Sequence, residues 1–490
     1  MRLISGGVSD LGETLINFYD NSRIIAGFLF FFYILAGVCA VRELMYSRTA
    51  QGSIAWLLSL AILPFPMALI YLAFGWKLFD DYAALQTFSG RQNRANRLKE
   101  LGIADEIASE KWPVLTHVSQ MPFLGGNEAK IFTDANETFN TLFESISKAK
   151  IFVLVQFYII RDDNLGKRLA DCLIERATAG IIVRVIYDDI GSSRLSKKYI
   201  KRLRDAGVQI TAFNQRHKFL RLYGPMRINY RNHRKIVVID GCEAWVGGFN
   251  IGDEYMGKSP IFGAWRDTQV QVRGPAALSC ALVFREDWEW ATGEKILLNP
   301  LEHNKQRGNE AVLVMPTGPA DSLEDCAIAF TEMIGRARKK LWIVSPYFVP
   351  GIDIQTALYA AAMRGVDIRI LLPKKADHLL VWLASYAHAD KMNNHGVQIY
   401  RYQKGFLHQK IILVDNEIAG IGTVNFDNRS FSINFEVTLW FTDKNFISNV
   451  EKMLIKDFSN AKITTKDDLK NRPLWFKVFS QLARLLSPML

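Results

Sequence analysis

Two stretches share one spacing: NHRKIVVID at 232–240 and LHQKIILVD at 407–415. Each sets a histidine and a lysine two apart, then an apolar run, then aspartate. In a strand, residues two apart lie on one face. His233 and Lys235 are therefore expected to point together, as are His408 and Lys410, while Asp240 and Asp415 close the strands. A turn follows each copy, GCEAWVGGFN and NEIAGIGTVN, with Gly247–Gly248 or Gly422–Thr423 just before Asn250 or Asn425. The small residues there suggest close backbone approach to a ligand. A satisfied core histidine would explain one copy, but not two with matched glycines and asparagines.

These residue types suit phosphoryl or phosphatidyl transfer. A neutral imidazole can attack phosphorus and form a phosphohistidine. A second imidazole, titrating near neutral pH, can protonate the leaving oxygen. The two lysines and the two asparagine amides can bind the non-bridging oxygens where negative charge builds. No carboxylate cluster of the kind that holds magnesium stands out, so neither a metal nor another cofactor is expected. Each imidazole needs a partner for its other nitrogen. Aligning WRDTQVQV (265–272) with NFEVTLWF (434–441) offers Asp267 and Glu436 for that orienting role. Asp240 and Asp415 belong to the motif's catalytic set, but are expected to hold strand-to-turn geometry more than to touch substrate. The spacing does not say which histidine is the nucleophile.

The elements that carry these groups are duplicated. IFVLVQFYII (151–160) and KLWIVSPYFV (340–349) read as buried strands, each followed by a helical segment and another strand. RATAGIIVRVIYD lines up with AAMRGVDIRILLP, and LRDAGVQITAFN with MNNHGVQIYRYQ. The expected fold is α/β: two lobes, each a mostly parallel sheet flanked by helices, at 111–297 and 298–463, joined near 295–310. Face-to-face packing of the lobes would bring both half-sites into one pocket. The first lobe carries an insertion, QRHKFLRLYGPMRINYRN (215–232), with five basic residues interleaved with apolar ones. It reads either as a solvated loop or as a basic, apolar rim that meets anionic lipid.

Two apolar runs without a charge precede the lobes, Ile24 to Val41 and Ile54 to Trp76. Each is long enough to cross a bilayer. They predict an N-terminal membrane helical hairpin within 1–80, with Pro64 and Pro66 kinking its second arm and leaving a shallow re-entrant path open. Lysine and arginine are denser after the second run than between the runs, which puts both ends and the catalytic lobes on the cytoplasmic side of the cell membrane. A basic linker follows at 81–110. The tail at 464–490 sets Trp475, Phe476, Phe479, Leu482 and Leu486 on one helical face, fit for the membrane interface or for docking on the protein. The net charge of +11 calls for an anionic partner, and the five scattered cysteines read as reduced cytosolic thiols.

These motifs resemble those of the phospholipase D superfamily and, within it, bacterial-type cardiolipin synthases. The likeness covers nearly the whole chain and rests on AWLLSLAILPFPMALIYLAFGW, NHRKIVVIDGCEAWVGGFNIGDEY, WRDTQVQVRGPA, PYFVPG, LHQKIILVD, GTVNFDNRSFSINFE and the closing LARLLSPML. It implies phosphatidyl transfer from one phosphatidylglycerol to another, with release of glycerol. His233 would be the nucleophile and His408 the general acid and then base. The partners implied are phosphatidylglycerol, other anionic phospholipids and the membrane, not nucleic acid. Gln156 departs from the family, where glutamate or histidine is more usual. A hydrolytic phospholipase D, a transferase with another alcohol acceptor, and a membrane-tethered nuclease or phosphodiesterase remain rival readings. The oligomeric state is open.

Overall fold

The computed structural model describes residues 5–46, 50–75, 98, 105–213, 230–296, 307–321, 323–466 and 468–489. Most of the basic linker, most of the 215–232 insertion and residues 297–306 of the lobe junction lie outside the described residues. The chain forms two compact units, an N-terminal one (residues 1–80) and a larger body (81–215 and 230–490).

In the N-terminal unit, α1 (Ser5–Tyr46) is one helix of 42 residues. Its Arg23–Tyr46 part is long and apolar enough to cross a membrane. The second apolar run is divided into α2 (Ala50–Ile62) and α3 (Pro64–Phe74). Pro64 and Pro66 have no N–H, so the carbonyls of Leu60 and Ile62 lose their helical donors. The ladder resumes on either side through Leu63 N–H to Ser59 O at 2.9 Å and Met67 N–H to Leu63 O at 3.1 Å. At 13 and 11 residues, neither piece alone has the roughly 20 residues a span needs. Phe32, Ala36 and Cys39 of α1 pack with Leu60, Ala68 and Tyr71.

The body is built on one sheet. The first lobe contributes β1 (Leu124–Phe132), β2 (Phe152–Phe157), β3 (Ile182–Tyr187), β4 (Gln209–Ala212), β5 (Ile236–Ile239), β6 (Glu243–Gly247) and β7 (Gln269–Arg273). The second contributes β8 (Glu310–Thr317), β9 (Lys340–Val344), β10 (Asp367–Pro373), β11 (Gln398–Tyr402), β12 (Ile411–Val414), β13 (Ile418–Gly422), β14 (Glu436–Phe441) and β15 (Ala461–Ile463). The spatial order is β15-β11-β10-β9-β12-β13-β14-β8-β1-β7-β6-β5-β2-β3-β4. Outward from the β1–β8 seam the two halves repeat the same order, so the duplication is structural.

Within this sheet, parallel pairing is confined to β2-β3-β4 and β9-β10-β11, and the other neighbouring strands pair antiparallel. Each lobe is thus mixed rather than mostly parallel. The cause is local: β5–β6 and β12–β13 are hairpins with tight turns, and only antiparallel strands can be joined that way. Helices α4 (Ala135–Ser147), α5 (Asn164–Thr178), α6 (Lys197–Asp205) and α7 (Ala276–Thr292) flank the first half. Helices α8 (Asp325–Arg336), α9 (Ile352–Met363), α10 (Leu379–Asn393) and α11 (Lys444–Ser459) flank the second, followed by α12 (Leu474–Leu485). Phe139, Leu169, Val155 and Trp245 belong to one core; Phe330, Leu358, Ile343 and Trp440 belong to the other.

Candidate active site

The apolar runs after each His-x-Lys become β5 and β12, four fully buried residues each. They anchor the motif, and its functional ends lie just before them. Asp240 and Asp415 lie at the opposite ends, about 20 Å from the histidines at the strand rise per residue. Both adopt left-handed backbone conformations, φ 53° and 51°. Asp240 accepts from the N–H groups of Lys150, Ile151 and Phe152 at 2.8–3.0 Å. Asp415 does the same for Arg338, Lys339 and Lys340. They pin the starts of β2 and β9 and are not among the residues that line the histidine cavity, so we propose a structural role for them within the motif. Alanine at either position loses three hydrogen bonds and strains the turn. We expect a loss of about 2–4 kcal/mol of stability with the turnover of the folded fraction retained. Thermal unfolding alongside kcat checks this; an unchanged melting temperature with lost turnover would restore a chemical role.

The two histidines share one cavity of about 430 Å³, lined also by Tyr158, Asn250, Trp265, Tyr347 and Asn425. Each is held by the other lobe. His233 Nδ1 lies 2.9 Å from Glu436 Oε2, and His408 Nδ1 lies 2.7 Å from Asp267 Oδ2. The backbone is crossed in the same way: His233 N–H donates to Phe435 O at 2.9 Å and His408 N–H to Arg266 O at 2.8 Å. The residue before each carboxylate thus grips the histidine that the carboxylate orients. Because an ionised carboxylate only accepts, Nδ1 carries the proton and Nε2 keeps its lone pair.

Glu436 also accepts from Thr423 Oγ1 at 2.6 Å, Ser430 Oγ at 2.8 Å and Asn434 Nδ2 at 3.3 Å. Asp267 accepts from Thr268 N–H at 2.8 Å and Trp265 Nε1 at 3.3 Å. A Cβ on Gly248 would meet Asp267 Oδ1 at 1.9 Å. That glycine therefore makes room for the orienting carboxylate, not for a ligand. At the matching position Thr423 supplies a donor to Glu436 instead.

Burial dominates the electrostatics. It lowers His233 to about 4, helped by the charges of Lys235 and Lys410 and opposed by Glu436. It lowers His408 as well. Burial takes Lys235 to about 7 and Lys410 to about 8. For Asp267 and Glu436 burial alone would raise the carboxyl, but the neighbouring histidine and lysine charges outweigh it and hold both below the usual range. An anionic phosphate entering the cavity would favour the charged form of both lysines. Lys235 Nζ donates to the His233 carbonyl at 2.7 Å, and Lys410 Nζ lies 2.9 and 3.1 Å from the ring nitrogens of His408. Asn250 uses its Oδ1 to accept from Ile159 N–H at 3.1 Å, and its Nδ2 sits 3.3 Å from the Tyr255 hydroxyl.

The middle residues of the motifs carry an unforeseen load. Arg234 is buried, pairs with Asp287 of α7 at 2.7 Å and donates to Glu436 O and Thr317 O of the other lobe. Gln409 bonds Asp457 of α11 at 2.9 Å, which also holds Arg266. Gln156 donates to Asn232 at 2.8 Å and Asp287 at 2.6 Å, directly behind His233. Tyr158 and Tyr347 line the cavity from equivalent strand ends. The aligned runs IFVLVQFYII and KLWIVSPYFV already held that equivalence. Asp377 and His378 line it as well, from a loop with no such signal.

A family model described as cardiolipin synthase, PLD-like domain, matches residues 142–259 and 330–458, one segment in each lobe. Cardiolipin synthase A of Pseudomonas syringae pv. syringae (strain B728a) is 42% identical over 490 residues, covering 96% of this chain and 100% of the relative. Cardiolipin synthase A of Pseudomonas fluorescens (strain SBW25) is 40% identical over 483 residues, covering 96% and 100%. Among solved structures, the phosphatidylserine synthase of Haemophilus influenzae Rd KW20 superposes with a TM-score of 0.58 at 15% identity, covering 77% of this chain and 99% of that one. That likeness shows the fold.

Proposed function

Because this chain belongs to the cardiolipin synthase family of phospholipase-D-like proteins, we propose that it is a phosphatidyltransferase that makes cardiolipin from two phosphatidylglycerol molecules and releases glycerol. The observation that carries the reading is the shared cavity, with two histidines each oriented by the opposite lobe's carboxylate. His233 Nε2 attacks the phosphorus of the first phosphatidylglycerol. The P–O bond to glycerol breaks, and His408, entering this step as the imidazolium that the bound anionic phosphate favours, gives its Nε2 proton to the leaving oxygen. His408 then takes the proton from a hydroxyl of the second phosphatidylglycerol. That oxygen attacks the phosphohistidine, the P–N bond breaks, and His233 is restored. Lys235, Lys410, Asn250 and Asn425 stabilise the non-bridging oxygens.

The assignment of His233 as nucleophile is supported by its lone pair at Nε2 and by its strongly depressed basicity, which keeps the ring neutral. Water must be kept from the intermediate, and burial of both histidines serves that end. The apolar helices of the N-terminal unit support a place in the cell membrane, and the lysine and arginine distribution supports a multi-pass insertion with the lobes on the cytoplasmic side.

The test is to incubate the purified full chain with phosphatidylglycerol vesicles and a chelator, and to analyse lipids and released alcohol. Cardiolipin with one glycerol per product is expected. Phosphatidic acid alone would assign the protein to hydrolysis instead.

A further inference from the structure

The closing helix, α12, has three arcs. Phe476, Ser480 and Ala483 are buried against α10, with the Phe476 ring 5.6 Å from Trp382 and 5.2 Å from Tyr386. Phe476 therefore turns inward, away from the apolar face that the sequence assigns it to. Lys477, Gln481 and Arg484 form a polar arc. Between them runs a third arc of large apolar side chains left bare: Trp475, Phe479, Leu482 and Leu485 are 61, 52, 51 and 69% exposed.

The helix that carries this bare arc packs on α10, whose N-terminal end lines the catalytic cavity through His378 and Val381. The Trp475 ring sits 5.6 Å from Phe476, which packs on Trp382, the neighbour of the cavity-lining Val381. At the mouth itself, Leu379 follows the cavity-lining His378 and is 65% exposed. From the first lobe, Ile261 precedes the cavity-lining Phe262 and is 70% exposed. Lys375 ties the two sides by donating to the Ile261 carbonyl at 3.1 Å. The rim thus draws apolar side chains from both lobes, and Lys374 and Lys375 stand exposed beside them.

We infer that the bare arc of α12 and the rim residues Ile261 and Leu379 form one docking surface for an anionic lipid monolayer, seating the cavity mouth against the headgroups. The inference rests on the reading of the substrate as a phospholipid. A protein seated on this face would cover the entrance to the cavity, whereas a lipid layer delivers substrate through it. A tryptophan with flanking aliphatics beside exposed lysines matches the chemistry of the headgroup boundary.

The test uses the full chain with two variants, Trp475→Ser/Phe479→Ser/Leu482→Ser and Ile261→Ser/Leu379→Ser. These positions are solvent-facing, so folding is retained. Turnover is measured on long-chain phosphatidylglycerol in phosphatidylcholine vesicles, and on monomeric dihexanoyl phosphatidylglycerol with the protein in amphipol. Each variant is expected to lose about tenfold or more on vesicles and to match the parent on the monomeric lipid. Equal vesicle rates, or equal losses on both substrates, overturn the inference. A parent inactive on both substrates sinks the functional reading and this inference with it. Independently of activity, phosphatidylglycerol with brominated chains should quench parent fluorescence more than that of Trp475→Phe. Equal quenching overturns the docking.

Discussion

Alanine at His233 is expected to abolish cardiolipin formation, with turnover reduced about 10⁴-fold or more, because it removes the ring proposed to carry the phosphatidyl moiety. Alanine at His408 should reduce it by about 10²–10⁴-fold, the range of a lost general acid. The two variants separate on a leaving group that needs no proton. With a p-nitrophenyl ester of phosphatidic acid, His408→Ala should release p-nitrophenol in a burst of one equivalent, then stall for want of a base. His233→Ala should release none. A burst from His233→Ala, with none from His408→Ala, would exchange the two roles. Substantial steady turnover in either alanine variant would remove the two-histidine mechanism altogether.

Removing the charge that orients a histidine should rank next. Glu436→Gln and Asp267→Asn keep size but place an amide donor beside Nδ1, which favours the proton on Nε2 and removes the lone pair from the cavity. A loss of about 10²–10⁴-fold in kcat with little change in KM is expected for each. Because the pairs cross between lobes, Glu436→Gln should behave like a His233 lesion and Asp267→Asn like a His408 lesion. In the p-nitrophenyl assay the first should suppress the burst and the second preserve it. Nitrogen-15 spectra should show the tautomer of the trans histidine inverted and the other unmoved. If each substitution disturbs the histidine of its own lobe, the crossed arrangement is wrong.

Much of this site can be read from sequence because duplication supplies an internal comparison. Matching His233 with His408 and Asp267 with Glu436 needs no structure, and the two lobes follow from the repeated strand–helix order. The crossing does not follow. Sequence places Asp267 after His233 in one copy and Glu436 after His408 in the other, and leaves open which carboxylate serves which histidine. Only the packing of the lobes brings Phe435 to the His233 backbone. Gly248 was legible as a close approach to a ligand, but not as an approach by the Asp267 side chain beside the neighbouring strand. Strand direction also escaped: apolar runs such as IVVI and IILV look alike in parallel and antiparallel sheets, and the hairpin turns after Asp240 and Asp415 were the decisive signal. Proline spacing foretold the break at Leu63. The inward turn of Phe476 depends on α10, which helical periodicity cannot see.

The antiparallel seam between β1 and β8, with a histidine and a carboxylate exchanged in both directions, has the logic of an isologous dimer closed into a single polypeptide. In a true homodimer the two half-sites must stay identical, since one gene encodes both. Fusion lifts that constraint. The copies already differ where it matters: aspartate against glutamate as orienter, Gly248 against Thr423, Arg234 against Gln409. On the proposed mechanism, covalent linkage is thus what would let one histidine specialise for attack while its twin handles protons.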